Sequence, residues 1–232
     1  MPGVDITTDR NWAGVYVRRC PVSALLIAIV GDINLDRQLD PAPKDTKNAK
    51  LAAELIGTEL ARRGVRLLVY GGPFLEADVV HGFVAGKPTA DRCILMWYTQ
   101  EKEPAAFAEE AKHPRYFDRR AESGADWETA FYRSLTRADG IVLIGGGTAT
   151  KISGYVTIGA RMPIVVLQQF GGAAAQVWAT LSAGEDLPNR SEIDAMARPW
   201  GEDSAVHKRG GERSRSTLRT LCSLSWQGPS SS

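Results

Sequence analysis

The stretch from Ala138 to Gln168 constrains the fold more than any other part of the chain. A short apolar run, Gly140–Ile144, leads into three consecutive glycines, then into small hydroxyl residues and a helix-like segment. A second apolar run, Ile164–Leu167, follows Pro163. This succession of strand, glycine turn, helix and strand has the length and composition of one βαβ unit. It predicts two parallel strands, with the glycine turn at the end of the sheet where ligands bind.

The same arrangement recurs along the chain. The apolar runs Leu25–Val30, Val65–Tyr70 and Ile164–Phe170 each lead directly into glycine. Because parallel strands place their carboxyl ends on one edge of a sheet, we expect the glycine turns to converge on one crevice. The sequence therefore predicts an α/β fold, a Rossmann-like open parallel sheet with helices on both faces and glycine-rich turns at the carboxyl edge.

Such a turn suits an anionic ligand. A helix that begins there presents unpaired N–H groups and a partial positive charge, and glycine lets the backbone approach an anion closely. We expect the crevice to bind a phosphate of a nucleotide-like ligand; the alternative is a set of tight turns that bind nothing. The candidate ligand-binding residues are Gly31, Asp32, Asn34, Gly71, Gly72, Gly145, Gly146, Gly147, Thr148, Thr150, Lys151, Gly171 and Gly172.

Asp32 and Asn34 follow the first strand, where a ribose or base would lie. Both residue types also suit a turn or a helix cap, so the two interpretations stay open. Composition adds little: the net charge of +1 indicates neither a nucleic-acid binder nor an enzyme for acidic substrates. Three widely spaced cysteines without a CxxC pair indicate no disulfide framework and no zinc site, which favours a reducing cytoplasm. We predict no metal and no cofactor.

The chain divides into three predicted parts: a leader or edge segment at 1–21, a Rossmann-like domain at 22–200, and a disordered basic tail at 201–232. Arg18-Arg19 and the apolar run after them resemble the start of a signal peptide. Gly31–Asn34 stands where a cleavage site would be, so a buried first strand is favoured. No apolar run is long enough to span a membrane. The tail lacks the aromatic platforms of single-strand binders, so nucleic acid is not expected as a partner.

Further elements follow from periodicity and capping signals. The predicted helices are Thr46–Arg63 with Thr46 as cap, Leu75–Val84, about Pro104–Lys112, one beginning at Ser123 with Asp126 in capping-box spacing, Ala173–Leu181 and Asn189–Ala197. A third strand is predicted at Cys93–Tyr98, with irregular chain around Arg115–Arg120 and a core stripe of Trp127, Phe131 and Leu135. The arginines 115, 119 and 120 either reach over the crevice or belong to a solvated loop.

At its central unit the chain resembles the SLOG superfamily, which includes cytokinin-activating phosphoribohydrolases (LOG), nucleotide sensors of bacterial conflict systems and domains of TRPM channels. The resemblance covers roughly residues 24 to 182. The matching features are Trp127-Glu128 with Phe131, Ala138-Asp139 before the strand, Gly145-Gly146-Gly147-Thr148 after it, Pro163, and Phe170-Gly171-Gly172-Ala173. The resemblance implies a Rossmann-like nucleotide-binding domain and a homo-oligomer, such as a dimer.

The chain departs from the LOG enzymes at one position. Their catalytic glutamate follows the glycine motif, where this chain has Thr150 and Lys151; in the register of nucleoside deoxyribosyltransferases the same role falls on Ile152. Cleavage of an N-glycosidic bond needs a carboxylate to stabilise the oxocarbenium-like carbon, whereas lysine pairs with phosphate. We therefore expect a sensor of nucleotide-derived signals that binds without cleaving and acts either through an effector protein partner or through a homo-oligomer.

Two alternatives remain. One is a nucleotide N-glycosidase or phosphoribohydrolase in which another element supplies the carboxylate. The candidates for that role are Glu128, Asp139, Asp32 and Glu76. Asp139 precedes its strand, which places it at the wrong edge of the sheet. The other alternative is an assembly module with a vestigial site.

Overall fold

The computed structural model of the chain describes residues 25–72 and 75–183, in which strands and helices alternate. The strands are β1 (Leu26–Asp32), β2 (Arg66–Val69), β3 (Ile94–Thr99), β4 (Phe117–Glu122), β5 (Gly140–Gly145) and β6 (Ile164–Leu167). The helices are α1 (Thr46–Arg62), α2 (Leu75–Ala85), α3 (Ala108–Lys112), α4 (Trp127–Leu135), α5 (Thr148–Gly159) and α6 (Gly172–Ala183). Short 3-10 helices lie at Pro114–Tyr116 and Gln168–Phe170.

All the strands are parallel and form one sheet in the order β4-β3-β2-β1-β5-β6. The order could not be inferred from the sequence. From β1 the chain builds outward through β2, β3 and β4, then returns to add β5 and β6 on the other side of β1. The switch point of this topology therefore lies between β1 and β5, where doubly wound proteins bind their ligands.

Apolar side chains cover both faces of the sheet. Along β1, Ile27 and Ile29 join one core cluster with α1 and α2, and Ala28 and Val30 join a second cluster with α4 and α6. Successive side chains of a strand point to opposite faces, so a strand buried on both faces is continuously apolar. The predicted open parallel sheet with helices on both faces is confirmed.

The prediction of irregular chain around Arg115–Arg120 was wrong. Phe117–Glu122 forms the edge strand β4, paired with β3 from Ile94↔Phe117 to Thr99↔Glu122. Its charges obscured the strand signal, because an edge strand pairs on one side only and tolerates polar side chains that a central strand would not. Of its residues Phe117 is buried, whereas Arg120 is exposed.

Two predicted helix caps were wrong, although α1 begins at Thr46 as predicted. Asp45 rather than Thr46 caps α1, through a hydrogen bond that its side chain accepts from the Asn48 N–H. Asp126 rather than Ser123 caps α4, accepting from the Thr129 N–H at 2.7 Å. Asp45 precedes the predicted cap by one residue, and Asp126 follows the predicted cap by three. An aspartate side chain accepts a hydrogen bond from a first-turn amide as well as a serine or threonine does.

The predicted core stripe on α4 is only partly a core stripe. Phe131 and Leu135 are buried, but Trp127 is 46% exposed and stacks on Phe131 with ring centroids 4.9 Å apart. Trp127 is the first residue of α4, so its indole lies over the rim of the cluster rather than inside it. Cys93 is a buried thiol, as predicted, and burial raises its pKa to about 11.

Several predictions fall outside the described residues: the leader at 1–21, the helix at Asn189–Ala197 and the tail at 201–232. The three-part division of the chain therefore stays a prediction. Among the helices that the structure describes, none combines the length and the apolar character that crossing a bilayer requires. In the same residues no group of three potential metal ligands comes together.

The packing of α1 on α2 depends on glycine. A Cβ at Gly82 would lie 1.9 Å from the Glu54 carbonyl oxygen, whereas a Cβ at Gly159, at the end of α5, would meet nothing within 4 Å. We expect Gly82→Ala to destabilise the protein by about 2 kcal/mol or more, because the helix backbones must separate. Gly159→Ala is the matched control and should be neutral or stabilising by up to about 1 kcal/mol. Urea unfolding measures both, and equal effects would contradict this account of the helix contact.

Candidate functional site

The centre of the candidate site is the pair of strands at the switch point, β1 and β5. Their pairing runs to the last residues of both strands, with Asp32 opposite Gly145. A Cβ at Gly31 would lie 2.0 Å from the Ile144 carbonyl oxygen, so only glycine permits this approach. The end of β1 and the glycine triplet after β5 therefore lie side by side, as the sequence predicted.

The glycine triplet turns the chain into α5. Gly145 and Gly146 have φ angles of 61° and 78°, in the left-handed region that favours glycine. The Gly146 N–H donates to the Asp32 carbonyl oxygen at 2.7 Å, and a Cβ at Gly146 would lie 2.0 Å from Thr150 Oγ1. Thr150 itself is buried, so its hydroxyl packs against the turn.

The helix that follows presents its first amides at the crevice. Gly147 is the N-cap of α5, and the Lys151 N–H donates to the Gly147 carbonyl oxygen at 3.0 Å. The N–H groups before Lys151 lie too early in α5 to donate to a carbonyl oxygen of the helix itself. Thr148 is exposed and Gly147 is half-buried, so this end of α5 is open to solvent.

The turn after β6 meets the triplet directly. A Cβ at Gly172 would lie 2.4 Å from the Gly145 carbonyl carbon, and the Ala173 N–H donates to the Gly146 carbonyl oxygen at 2.8 Å. The amides of Gly171 and Gly172 donate to the carbonyl oxygens of Gln168 and Ala42. These two glycines thus join the turns together, and their N–H groups are used within the protein.

The loop after β1 crosses the end of β5 to reach this same turn. The Lys44 N–H donates to the Phe170 carbonyl oxygen at 2.7 Å, and Pro43 forms an antiparallel bridge with Gly171. On the way, Leu39 packs against Gly147, since a Cβ there would lie 2.9 Å from Leu39 Cδ2. This anchoring, which the sequence did not reveal, makes the loop one wall of the crevice.

Asp32 and Asn34 lie at the start of this loop and stabilise it. Asp32 Oδ1 accepts from the Asn34 N–H at 2.8 Å, its other oxygen pairs with Arg37, and Asn34 Oδ1 accepts from the Asp36 N–H at 2.9 Å. The contacts of Asp32 and Asn34 in the structure are therefore those of turn residues, which was one of the two interpretations. Their predicted contact with a ribose or base stays a prediction.

The glycine turn after β2 already holds a carboxylate. Glu76 Oε2 accepts from the Gly72 N–H at 2.7 Å and from the Tyr70 N–H at 2.9 Å. Burial raises the pKa of Glu76 to about 7, the backbone N–H groups oppose that rise, and Asp32 adds to it. Pro104 covers the other side of the turn, because a Cβ at Gly71 would lie 2.3 Å from Pro104 Cβ.

Sequence reasoning placed Glu76 only among possible catalytic carboxylates and missed this contact. The signal available in the sequence was an acidic residue in the first turn of the helix that follows a glycine pair. Its partners show that the Gly72 amide, which was predicted to meet a phosphate, is occupied by a side chain of the protein.

The three arginines of the 99–124 excursion pair with acidic side chains of the protein, and two of them do so within the excursion. Arg119 donates to Glu110 at 2.9 Å and to the Pro104 carbonyl oxygen at 2.8 Å. Arg115 lies beside Asp91 and Arg120 pairs with Asp118. Arg119 thus holds Pro104 over Gly71. All three arginines have partners within the protein, so the structure does not show them reaching over the crevice.

The positions at which LOG enzymes or nucleoside deoxyribosyltransferases have their glutamate differ in their surroundings. Thr150 is buried, Lys151 is half-buried with its Nζ 6.0 Å from the Tyr155 ring centroid, and Ile152 is exposed. Asp139 lies at the amino edge of the sheet, where its Oδ2 accepts from the Leu26 N–H at 2.8 Å. The predicted position of Asp139 at the wrong edge is confirmed.

Glu76 gives the stability of the protein a specific pH dependence. Because folding raises the pKa of Glu76 to about 7, the folded protein holds this proton more tightly than the unfolded chain. The wild type should therefore lose stability between about pH 5 and pH 8 relative to Glu76→Gln, by up to about 3 kcal/mol. Urea unfolding of both proteins at the two pH values measures the difference. Parallel pH profiles would contradict the assignment.

The comparisons with known proteins rest on structure. No protein-family model matches the chain, and no curated protein matches its sequence. The structure of the structural-genomics target TM1055 is similar with a TM-score of 0.54 at 19% identity, covering 72% of this chain and 87% of that one. The DNA processing protein A of Helicobacter pylori, described as binding single-stranded DNA, matches with a TM-score of 0.51 at 12% identity, covering 75% and 80%.

A further similar structure is the Moco carrier protein of Chlamydomonas reinhardtii, with a TM-score of 0.48 at 18% identity, covering 70% of this chain and 86% of the carrier. The likenesses to TM1055 and to DNA processing protein A establish the fold, an α/β Rossmann-like sheet, which agrees with the strand order described above.

Proposed function

We propose that this chain binds a nucleotide or a nucleotide-derived small molecule, with a phosphate of the ligand on the first turn of α5. One observation carries the proposal: the open amides of α5 begin at the switch point between β1 and β5, directly after the Gly145–Gly147 turn. Backbone N–H groups and the positive end of the helix dipole both attract an anion there.

The residues around this turn support the same assignment. Lys151 contributes a cation to the first turn of α5, and the exposed Thr148 contributes a hydroxyl group. Gly146 and Gly172 are required for the close contacts of the turns, and they shape the crevice without donating to the ligand. Asp32 and Asn34 lie at the end of β1, beside this turn, where the ribose or base of the ligand would extend.

We further propose that the chain is a SLOG-type sensor that does not cleave its ligand. The carboxylates near the crevice are committed to other contacts: Asp32 to Arg37 and the Asn34 N–H, and Glu76 to the turn after β2. Thr150 and Lys151 supply no carboxylate at the position that LOG enzymes use. The homo-oligomer, the effector partner and the cytoplasmic location implied at the outset remain predictions.

Thermal unfolding across a panel of nucleotides, cyclic nucleotides and ADP-ribose derivatives tests the binding. A ligand at one hundred times its dissociation constant should stabilise the protein by about 2.7 kcal/mol, which raises the midpoint by several degrees. The variant Lys151→Glu should reduce this shift, because it places a negative charge beside the phosphate. Lys112→Glu, the same charge change on α3, is the matched control and should keep the shift.

Chromatography of the ligand after incubation separates a sensor from an enzyme. We expect the compound that stabilises the protein to be recovered intact. Release of the free base would establish the N-glycosidase alternative, and it would show that a carboxylate other than one at 150–152 performs the chemistry. The absence of any shift across the whole panel would instead favour the assembly module with a vestigial site.

A further inference from the structure

The turn after β2 differs from the turn after β5 in one chemical respect. Both are glycine turns at the carboxyl edge, and a helix follows each of them. The first-turn amides of α5 are open, whereas the Tyr70 and Gly72 amides both donate to Glu76 Oε2. Glu76 is only 6% exposed, so its carboxylate is a built part of this turn and not a mobile surface group.

Sheet order places this carboxylate on the path of the proposed ligand. The strands β2, β1 and β5 are consecutive, and neighbouring strands lie about 4.8 Å apart. The turn after β2 is therefore about 10 Å from the turn after β5, with Asp32 between them. A ligand held by a phosphate on α5 that extends across the end of β1 approaches Glu76 at its far end.

An anion at that far end would meet the Glu76 carboxylate instead of the turn amides of Tyr70 and Gly72, which are occupied. Pro104 covers Gly71, and Arg119 is engaged by Glu110 and by the Pro104 carbonyl oxygen. Above the pKa of about 7 that burial gives Glu76, its carboxylate and that of Asp32 would repel a second negative charge, and they would accept hydrogen bonds from hydroxyl or amino groups.

We infer that Glu76 is a specificity-determining residue, which reserves the turn after β2 for a neutral, hydrogen-bond-donating part of the ligand and excludes a second anionic group. The inference rests on the proposed function, since it presupposes a phosphate on α5. It assigns to this site ligands whose negative charge is confined to one end, and it excludes those that carry phosphate at both turns.

The test compares the 5′-monophosphates and the 3′,5′-bisphosphates of the same nucleosides, which differ by a phosphate on the far side of the ribose, on the full chain at pH 8, where Glu76 is largely ionised. Isothermal titration calorimetry with both forms of adenosine, guanosine, cytidine and uridine gives the affinity ratio for each pair. For any pair that binds, the wild type should prefer the monophosphate by tenfold or more. Glu76→Gln keeps a carbonyl oxygen for the Tyr70 and Gly72 amides but removes the charge, so the preference should fall to threefold or less.

Glu59→Gln is the matched control. Glu59 lies in the last turn of α1, at the amino edge of the sheet, where it pairs with Arg63. Its removal should leave the preference of the wild type unchanged. The ratio of the two affinities in the wild type tests the inference by itself, and it does not depend on whether Glu76→Gln folds.

The outcomes separate this inference from the proposed function. Equal wild-type affinity for the monophosphate and the bisphosphate would overturn the inference alone, and so would a preference that Glu76→Gln leaves intact. If no nucleotide of the set binds to the wild type, the phosphate site on α5 fails, and the specificity inference fails with it.

Discussion

The crevice depends on backbone contacts that leave no room for a side chain. The end of β1 lies against β5 at Gly31, and the turn after β6 lies against the turn after β5 at Gly172. Because carbonyl groups occupy the positions where Cβ atoms would be, three chain segments meet at backbone distance. This close meeting places the amino end of α5 beside the end of β1, and the loop after β1 then closes over both through Lys44 and Phe170.

A second consequence is that glycine turns of similar sequence acquire different chemistry. The turn after β5 leads into a helix whose first amides are open, so it attracts an anion. In the turn after β2, Glu76 already accepts from the Tyr70 and Gly72 amides, and its carboxylate would repel an anion. Two turns of opposite preference on either side of β1 would give the bound ligand one orientation across the crevice. Because burial raises the pKa of Glu76 to about 7, this repulsion is fully developed only above that pH.

The sequence predicted the parts of this structure that arise from local patterns. The apolar runs located five strands, and the glycines after them indicated the carboxyl edge, since parallel strands bring their ends together. The strand β4 was missed because four of its six residues are charged, which leaves no apolar alternation to recognise. The main partner of Arg119, Glu110, lies on another element and becomes its neighbour only in the folded chain. Strand order was inaccessible for the same reason: pairing is a property of distant segments.

In the candidate site, too, local patterns were predictable from the sequence and contacts between distant segments were not. The sequence indicated where the turns require glycine, and Gly146 and Gly172 do have positive φ angles, which few other residues adopt. The sequence could not show whether a turn amide is open or occupied. The Gly72 amide donates to Glu76, which α2 brings back to the turn, and the Gly172 amide donates to Ala42, which lies on the loop after β1. Side-chain and loop partners of this kind decide which of the predicted residues remain available to a ligand.

The most direct test of the central claim is where a nucleotide perturbs the backbone. Two-dimensional NMR of the ¹⁵N-labelled protein, titrated with the nucleotide that stabilises it most, reports each amide separately. The phosphate assignment predicts that the largest shifts occur at the amides of Gly147, Thr148 and Ala149, with smaller changes at the Gly72 amide, which Glu76 already holds. Dominant shifts at Gly71 and Gly72, or at residues away from the carboxyl edge, would contradict the account.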